Sequence, residues 1–251
     1  SKEFKAMCNT YDKYVDKHQH LYTIGSNSIN MSLNRYQNII ALDETLVTLS
    51  NNNYINANMI TGKYSPQKFI MTQAPETDTI KDFYQMCHDH NVTTIVCLTQ
   101  LVESGIEKAT KYWPDEGYIT NGPWVIEIYK SYYFENIIQR ELSIINVNTD
   151  KCINVNMFHC TSWDDHDAPS SQDFNKLISL VRSISNVTVP IIVHCSAGIG
   201  RSGTFVTAYN YLLMYKKPNV KNMICWLKTL RTGSVHTTTQ YKFLLDFCLK
   251  N

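Results

Sequence analysis

The chain has 251 residues, 43% of them hydrophobic and 18% charged, with only 9 glycines and 7 prolines. A chain of that length can bury roughly 70–75% of its unfolded surface, and the composition excludes collagen-like, disordered and low-complexity classes. Its 23 Lys and Arg against 22 Asp and Glu leave a formal net charge of +1. No whole-molecule field therefore recruits nucleic acid or an anionic membrane, and any anion site has to be local.

No apolar run approaches the ~18 residues of a membrane span. Ser1-Lys2-Glu3-Phe4 lacks the charged-then-apolar layout of a signal peptide. A soluble chain with no membrane span is expected. The eight cysteines (Cys8, Cys87, Cys97, Cys152, Cys160, Cys195, Cys225, Cys248) are scattered, several inside apolar segments such as Thr94-Ile95-Val96-Cys97-Leu98. That pattern predicts reduced, buried thiols in a cytoplasmic protein. Sequons at Asn30, Asn91 and Asn186 are expected by chance in an Asn-rich chain. No repeat, linker or charge block divides the sequence, which predicts a single domain over 1–251; oligomeric state stays open.

In chain order, β-branched and aromatic residues predict strands at Tyr54–Ile60, Lys68–Thr72, Thr94–Thr99, Trp124–Tyr133, Glu141–Asn148 and Ile153–His159, with an Asn51-Asn52-Asn53 loop before the first. Helical periodicity follows at Phe174, Leu177, Ile178 and Val181. A buried strand is predicted at Val189–His194. Three further helical patterns end the chain: Val206, Tyr209, Leu213; then Val220, Met223, Ile224, Leu227; then Tyr241, Leu244, Leu245, Cys248. Strands in the middle and helices behind them predict an α/β (α+β) fold, a twisted mixed sheet flanked by helices.

The most informative segment runs from Pro190 to Phe205, where a buried strand enters a small-residue loop and then a helix. Small residues let successive N–H groups of Ser196, Ala197, Gly198, Ile199 and Gly200 converge on an anion, and the helix N-terminus adds its own donors and dipole. Cys195 opens the loop and Arg201 closes it, so a thiol and a bidentate guanidinium face one bound oxyanion. In that field a cysteine pKa falls to roughly 3.5–7.5, which makes a nucleophile at neutral pH.

His194-Cys195-x5-Arg201-Ser202-Gly203 resembles the phosphate-binding signature of the classical protein-tyrosine phosphatases. The resemblance extends to Asn34-Arg35-Tyr36, Tyr54-Ile55-Asn56-Ala57, Thr72-Gln73-Ala74-Pro75 and Lys111-Tyr112-Trp113-Pro114, and so covers the chain from about Asn34 to Tyr241. It implies that family's fold, a highly twisted mixed sheet with helices on both faces, and hydrolysis of phosphotyrosine without any cofactor or metal. The implied partners are tyrosine-phosphorylated proteins.

A leaving phenolate needs a proton donor. Trp113-Pro114-Asp115 resembles the family's acid loop by letter but belongs to the Lys111–Pro114 framework motif. The resemblance instead assigns the general acid to Asp165, within Trp163-Asp164-Asp165-His166-Asp167-Ala168-Pro169. Asp164 stands where the family has Pro and Asp167 where it has Gly. Two extra carboxylates are expected to raise the Asp165 pKa, and the missing Pro to loosen the open loop.

The same resemblance makes Tyr36 the aromatic wall of the pocket, and Asn38 the substrate-backbone anchor where the family often has Asp. It makes Gln240 the glutamine that positions water, and sets His236 in place of a second glutamine. It also pairs Glu103 with Arg201, brings Lys108 near the acid loop, and counts His194 as support. Ser202 either donates to the cysteine sulfur or caps the following helix. Cys87, His88 and His90, and His18 with His20, invite a metal reading, but 87, 88 and 90 cannot all share one helical face, and no metal is expected. The competing expectation is a phosphotyrosine-binding module without turnover, suggested by the altered acid loop, Asn38 and His236. RNA ends or phosphoinositides would favour a shallower or more basic pocket. These departures resemble divergent viral copies of the family, such as those of bracoviruses, for which the location would be host-cell cytoplasm.

Overall fold

The computed structural model describes residues 2–17 and 19–251. His18, and with it the His18–His20 pairing, lies outside them. Eight strands form one sheet in the order β1-β2-β10-β3-β9-β8-β7-β6. They are β1 (Ala57–Gly62), β2 (Ser65–Thr72), β3 (Thr94–Cys97), β6 (Tyr118–Asn121), β7 (Trp124–Phe134), β8 (Ile137–Asn146), β9 (Lys151–Cys160) and β10 (Ile191–His194). A separate hairpin joins β4 (Val102–Glu103) and β5 (Ile106–Glu107).

The sheet is mixed. β10 runs parallel to both β2 and β3, and β3 parallel to β9, while β1 and β6 to β8 add antiparallel ladders at the two sides. This is the expected architecture, and the reason lies in burial. Ile191, Ile192 and Val193 are no more than 1% exposed, because helices cover the sheet on both faces and a central parallel strand has no wet side.

One face carries α3 (Ser171–Ile184), α4 (Gly200–Leu213), α5 (Val220–Leu230) and α6 (Thr238–Lys250), whose apolar stripes share a core with Phe69, Met71, Val96 and Val193. The other face packs α2 (Ile80–Asp89) against Ile70, Ile95, Met157 and Ile192. An N-terminal helix, α1 (Lys2–Lys17), inserts Phe4 into the first core. Local caps start the helices: Ser170 accepts Asp173 N–H ahead of α3, and Asn219 accepts Asn222 N–H ahead of α5.

Several boundaries differ from expectation. The first strand begins at Ala57, because Tyr54 and Asn56 turn inward to bond Asn34. β8 starts four residues early and ends at Asn146, where Asn146 Oδ1 accepts Asn148 N–H in a turn. α1, α2, β6 and the β4–β5 hairpin were not anticipated. Cys87 faces the core and His88 donates Nε2–H to the Ile144 carbonyl at 2.8 Å, so neither is arranged for a metal. No group of three His, Cys, Asp or Glu among the described residues could hold a metal ion. Cys152 is exposed, a departure from the expectation of buried thiols, because it sits near the free end of β9. No described helix is long and apolar enough to cross a membrane.

Candidate active site

β10 delivers Cys195 to the C-terminal edge of the parallel strands, the side on which α/β sheets open crevices. The loop from Ser196 to Ile199 then turns into α4. Gly198 has φ +70°, and a Cβ there would lie 1.9 Å from the Thr72 carbonyl oxygen, so only glycine allows the loop to lie on β2. Arg231, fully buried behind the loop, donates Nε–H to the Gly198 carbonyl at 2.7 Å and Nη2–H to the Ala197 carbonyl at 3.0 Å. Each planar peptide unit points its N–H opposite its carbonyl, so holding these oxygens from behind turns the N–H groups inward.

Inside this cradle the Cys195 thiol is 4% exposed. Burial by itself would raise its pKa. The Arg201 guanidinium, the Ser202 hydroxyl and the N–H groups of Ser202 and Gly198 outweigh that penalty and hold it below the ordinary thiol value. Ser202 lies inside α4, whose N-cap position is Ile199, so the helix-cap alternative is not what the fold uses. Its hydroxyl is buried with no oxygen or nitrogen partner, beside the sulfur.

Arg201 donates Nη1–H to Glu103 Oε1 at 2.6 Å and to the Trp163 carbonyl at 2.8 Å. Its Nε–H is buried without any partner. Glu103 is itself held by the Thr99 hydroxyl at 2.8 Å. His194, under the loop, donates Nδ1–H to the Cys195 carbonyl at 3.0 Å and accepts from the Tyr112 hydroxyl at 2.7 Å. Burial and the nearby cations push its pKa down to about 4, keeping it neutral. On the outer side the Tyr36 hydroxyl donates to Ser196 Oγ at 2.8 Å, and Ser196 passes its own hydrogen to the Lys108 carbonyl.

The loop from Trp163 to Pro169 is folded over this cradle. Asp165 Oδ2 accepts from Lys108 Nζ at 2.8 Å, and Oδ1 lies 3.3 Å from Arg201 Nη2. Its pKa is lowered rather than raised as expected. Burial acts upward, but Lys108, Arg201 and His166 together act downward more strongly. The two carboxylates expected to crowd it are exposed, and Asp167 turns its Oδ1 to the Ala168 N–H at 2.7 Å. Trp163 Nε1–H bonds the Asp167 carbonyl, which closes the loop on itself without the family's proline.

Cys195, Arg201, Asp165, Tyr36, Lys108, Gln240, His166, His236, Ser196, Ala197, Ile199 and Gly200 line one cavity of about 170 Å³. Asn38 is exposed and outside its lining. Asp115 is 78% exposed and paired with Lys111 on the far framework loop. Gln240 is 1% exposed against Gly200, and its Oε1 accepts the N–H groups of His236 and Thr237. Sequence reasoning missed Arg231 and Tyr112 as supports. Thr237-x-x-Gln240 is a capping box that starts α6, a local signal carried by the sequence as well as the water-positioning resemblance.

A family model described as protein-tyrosine phosphatase matches residues 30–250. Curated relatives include the receptor-type tyrosine-protein phosphatase eta of Gallus gallus, 34% identical over 86% of this chain and 16% of the relative. The tyrosine-protein phosphatase non-receptor type 61F of Drosophila melanogaster is 30% identical over 96% of this chain and 46% of its own length. The human non-receptor type 12 enzyme is 33% identical over 97% of this chain and 33% of its own. The chain thus spans less than half of each of these relatives. A solved structure, from work on the PTPN18 fingerprint on distinct HER2 tyrosine phosphorylation sites, superposes with a TM-score of 0.91 at 26% identity, covering 99% of this chain and 94% of that one.

Proposed function

This chain belongs to the protein-tyrosine phosphatase family, and on that premise we propose that it hydrolyses phosphotyrosine in proteins through a cysteinyl-phosphate intermediate. The observation that carries the reading is the convergence of a thiol with a depressed pKa and an unpartnered, buried Arg201 N–H on one inward-facing backbone cradle. A dianionic phosphoryl group satisfies both, and its three oxygens meet the loop N–H groups and the α4 N-terminus.

The Cys195 thiolate attacks phosphorus in line as the phosphorus–phenolate bond breaks, and Asp165 gives its proton to the departing oxygen. In the unliganded site Asp165 is held ionised by Lys108 and Arg201. An arriving phosphate draws Arg201 away and places negative charge beside the carboxyl, and both effects raise its affinity for the proton it must deliver. In the second half Asp165, now ionised, takes a proton from water while that water attacks phosphorus. Cys195 leaves as a thiolate, favoured by Arg201 and the Ser202 hydroxyl, and Gln240 orients the water from the α6 N-terminus. Tyr36 sets the depth of the pocket. Asn38, exposed and outside the cavity lining, meets the peptide backbone around the phosphotyrosine in this reading.

We read residues 1–251 as one catalytic domain acting on tyrosine-phosphorylated proteins in a reducing cytoplasm, supported by the free buried thiols at Cys87, Cys97, Cys160, Cys195 and Cys248. Phosphate release from a phosphotyrosine peptide tests the assignment. Cys195→Ser abolishes it, and Asp165→Ala lowers turnover by roughly 10²–10⁴-fold while peptide binding survives. Asp115→Ala leaves it unchanged. An Asp115 loss equal to that at Asp165 would reverse the choice of acid loop, and binding of the peptide with no release by the wild type would make the protein a binding module.

A further inference from the structure

We propose that Thr237 is a positioning residue that latches the acid loop over the active site and ties it to the Gln240 loop, an inference that rests on the reading of Asp165 as general acid. Thr237 stands at the N-cap of α6, where its Oγ1 accepts the Gln240 N–H at 3.1 Å. The same hydroxyl donates to the carbonyl of His166 at 3.0 Å. A threonine hydroxyl carries one hydrogen and two lone pairs, so both bonds form at once. A helix start needs only the first of them.

The second bond falls on the residue directly after the acid. His166 has φ +62°, a left-handed conformation that strains any residue with a Cβ and persists only where surrounding contacts impose it. Two contacts do so: the His166 N–H donates to Asp165 Oδ1 at 3.0 Å, and its carbonyl is held by Thr237. The His166 and His236 rings meet across the same seam with centroids 5.8 Å apart.

The two side chains that hold the Asp165 carboxylate from outside the loop have a second employment. Lys108 and Arg201 hold the Asp165 carboxylate, and both face the cavity that takes the phosphate. Thr237 is outside that lining, so its bond to the loop backbone does not depend on what fills the cavity. The latch therefore keeps the Asp165 backbone in place while the cations turn to the substrate. It also couples loop closure to the capping box that sets Gln240, so the residues serving the two half-reactions share one support.

A leaving-group comparison of kcat/KM isolates this role, since proton delivery matters for phenyl phosphate and little for 2,4-dinitrophenyl phosphate, whose leaving group departs unprotonated. Thr237→Asp keeps the N-cap acceptor but, ionised, has no hydrogen for the His166 carbonyl. It is expected to lower kcat/KM for phenyl phosphate about tenfold, a part of the general-acid factor, and for the dinitrophenyl ester by no more than about twofold, with thermal stability retained. Thr237→Ser, which restores the donor, is expected to stay near wild type on both. Asp165→Ala is expected to show the same bias in full, roughly 10²–10⁴-fold. Equal losses on both substrates in Thr237→Asp, or a Thr237→Ser variant no better than Thr237→Asp, would overturn the latch while the Asp165→Ala bias leaves the acid assignment standing. An Asp165→Ala variant with no leaving-group bias would overturn the acid assignment and the latch with it.

Discussion

Burial turns half of the eight cysteines, Cys87, Cys97, Cys160 and Cys248, into inert core groups: it pushes the thiols of Cys97 and Cys248 up to about 12 and raises Cys87 and Cys160 as well. Cys195 is as buried as they are and moves the other way, because the Arg201 guanidinium, the Ser202 hydroxyl and the N–H groups of Gly198 and Ser202 face its sulfur. Iodoacetate near pH 6 should therefore alkylate Cys195 before the exposed Cys152, with vanadate protecting it, as read by mass mapping of the modified peptides. First modification at Cys152 would contradict the cradle. Asn38 is a second residue-scale test. It lies outside the cavity lined by Cys195 and Arg201, so Asn38→Asp should leave small aryl phosphates unchanged. A charged hydrogen bond to a peptide backbone is worth about 1.5–3 kcal/mol, so kcat/KM for a phosphotyrosine peptide should rise roughly tenfold or more. Parallel gains on both substrates would remove Asn38 from the recognition surface.

At the scale of an element, the loop from Ser196 to Ile199 is a segment whose shape is imposed from behind. Arg231 joins two loop carbonyls to Asn58 Oδ1 in β1 at 2.8 Å and to Asn56 Oδ1, just before that strand, at 3.0 Å. Its burial lowers the guanidinium pKa to about 10, which leaves it charged at neutral pH. Arg231→Met would strand four buried acceptors, so we expect a stability loss of roughly 3–5 kcal/mol by urea unfolding and weaker vanadate protection of Cys195. Unchanged protection would show that the loop holds its own shape. The acid loop makes the complementary point. It has lost the family's proline, yet the Trp163–Asp167 bond, the Arg201 bond to the Trp163 carbonyl and the Thr237 bond to His166 close it. Residue letters showed a looser loop; those cross-loop bonds were invisible in them. The expectation of a raised Asp165 pKa failed for the same reason, since adjacent carboxylates are visible in sequence while Lys108, 57 positions away, is not.

Across the whole molecule, stability should depend on pH through His159 and His194, both buried neutral with pKa values pushed down to about 4. Unfolded histidines take up protons near pH 6.5, whereas these two resist until about 4, so the unfolded state binds more protons between those values. Their stabilising contribution is complete above about pH 6.5 and is lost as pH falls towards 4, by up to about 3 kcal/mol each. Urea unfolding at pH 7.5 and pH 4.5 measures it, and His159→Gln should flatten the curve; an equally steep curve in the variant would refute the assignment. The strand order belongs to this scale too. β10, late in the chain, lies between β2 and β3, and no local pattern predicts that insertion. By itself the sequence determined the helix and strand types of the long periodic segments and the strand-loop-helix around Cys195, because periodicity and a small-residue anion loop are local properties. Only the tertiary structure decided that Arg231 braces that loop, that Asp165 is held ionised by Lys108 and Arg201, and that Thr237 reaches the acid loop. Each of these is a contact between segments far apart in the chain, whose meeting is set by how the sheet and its two cores pack.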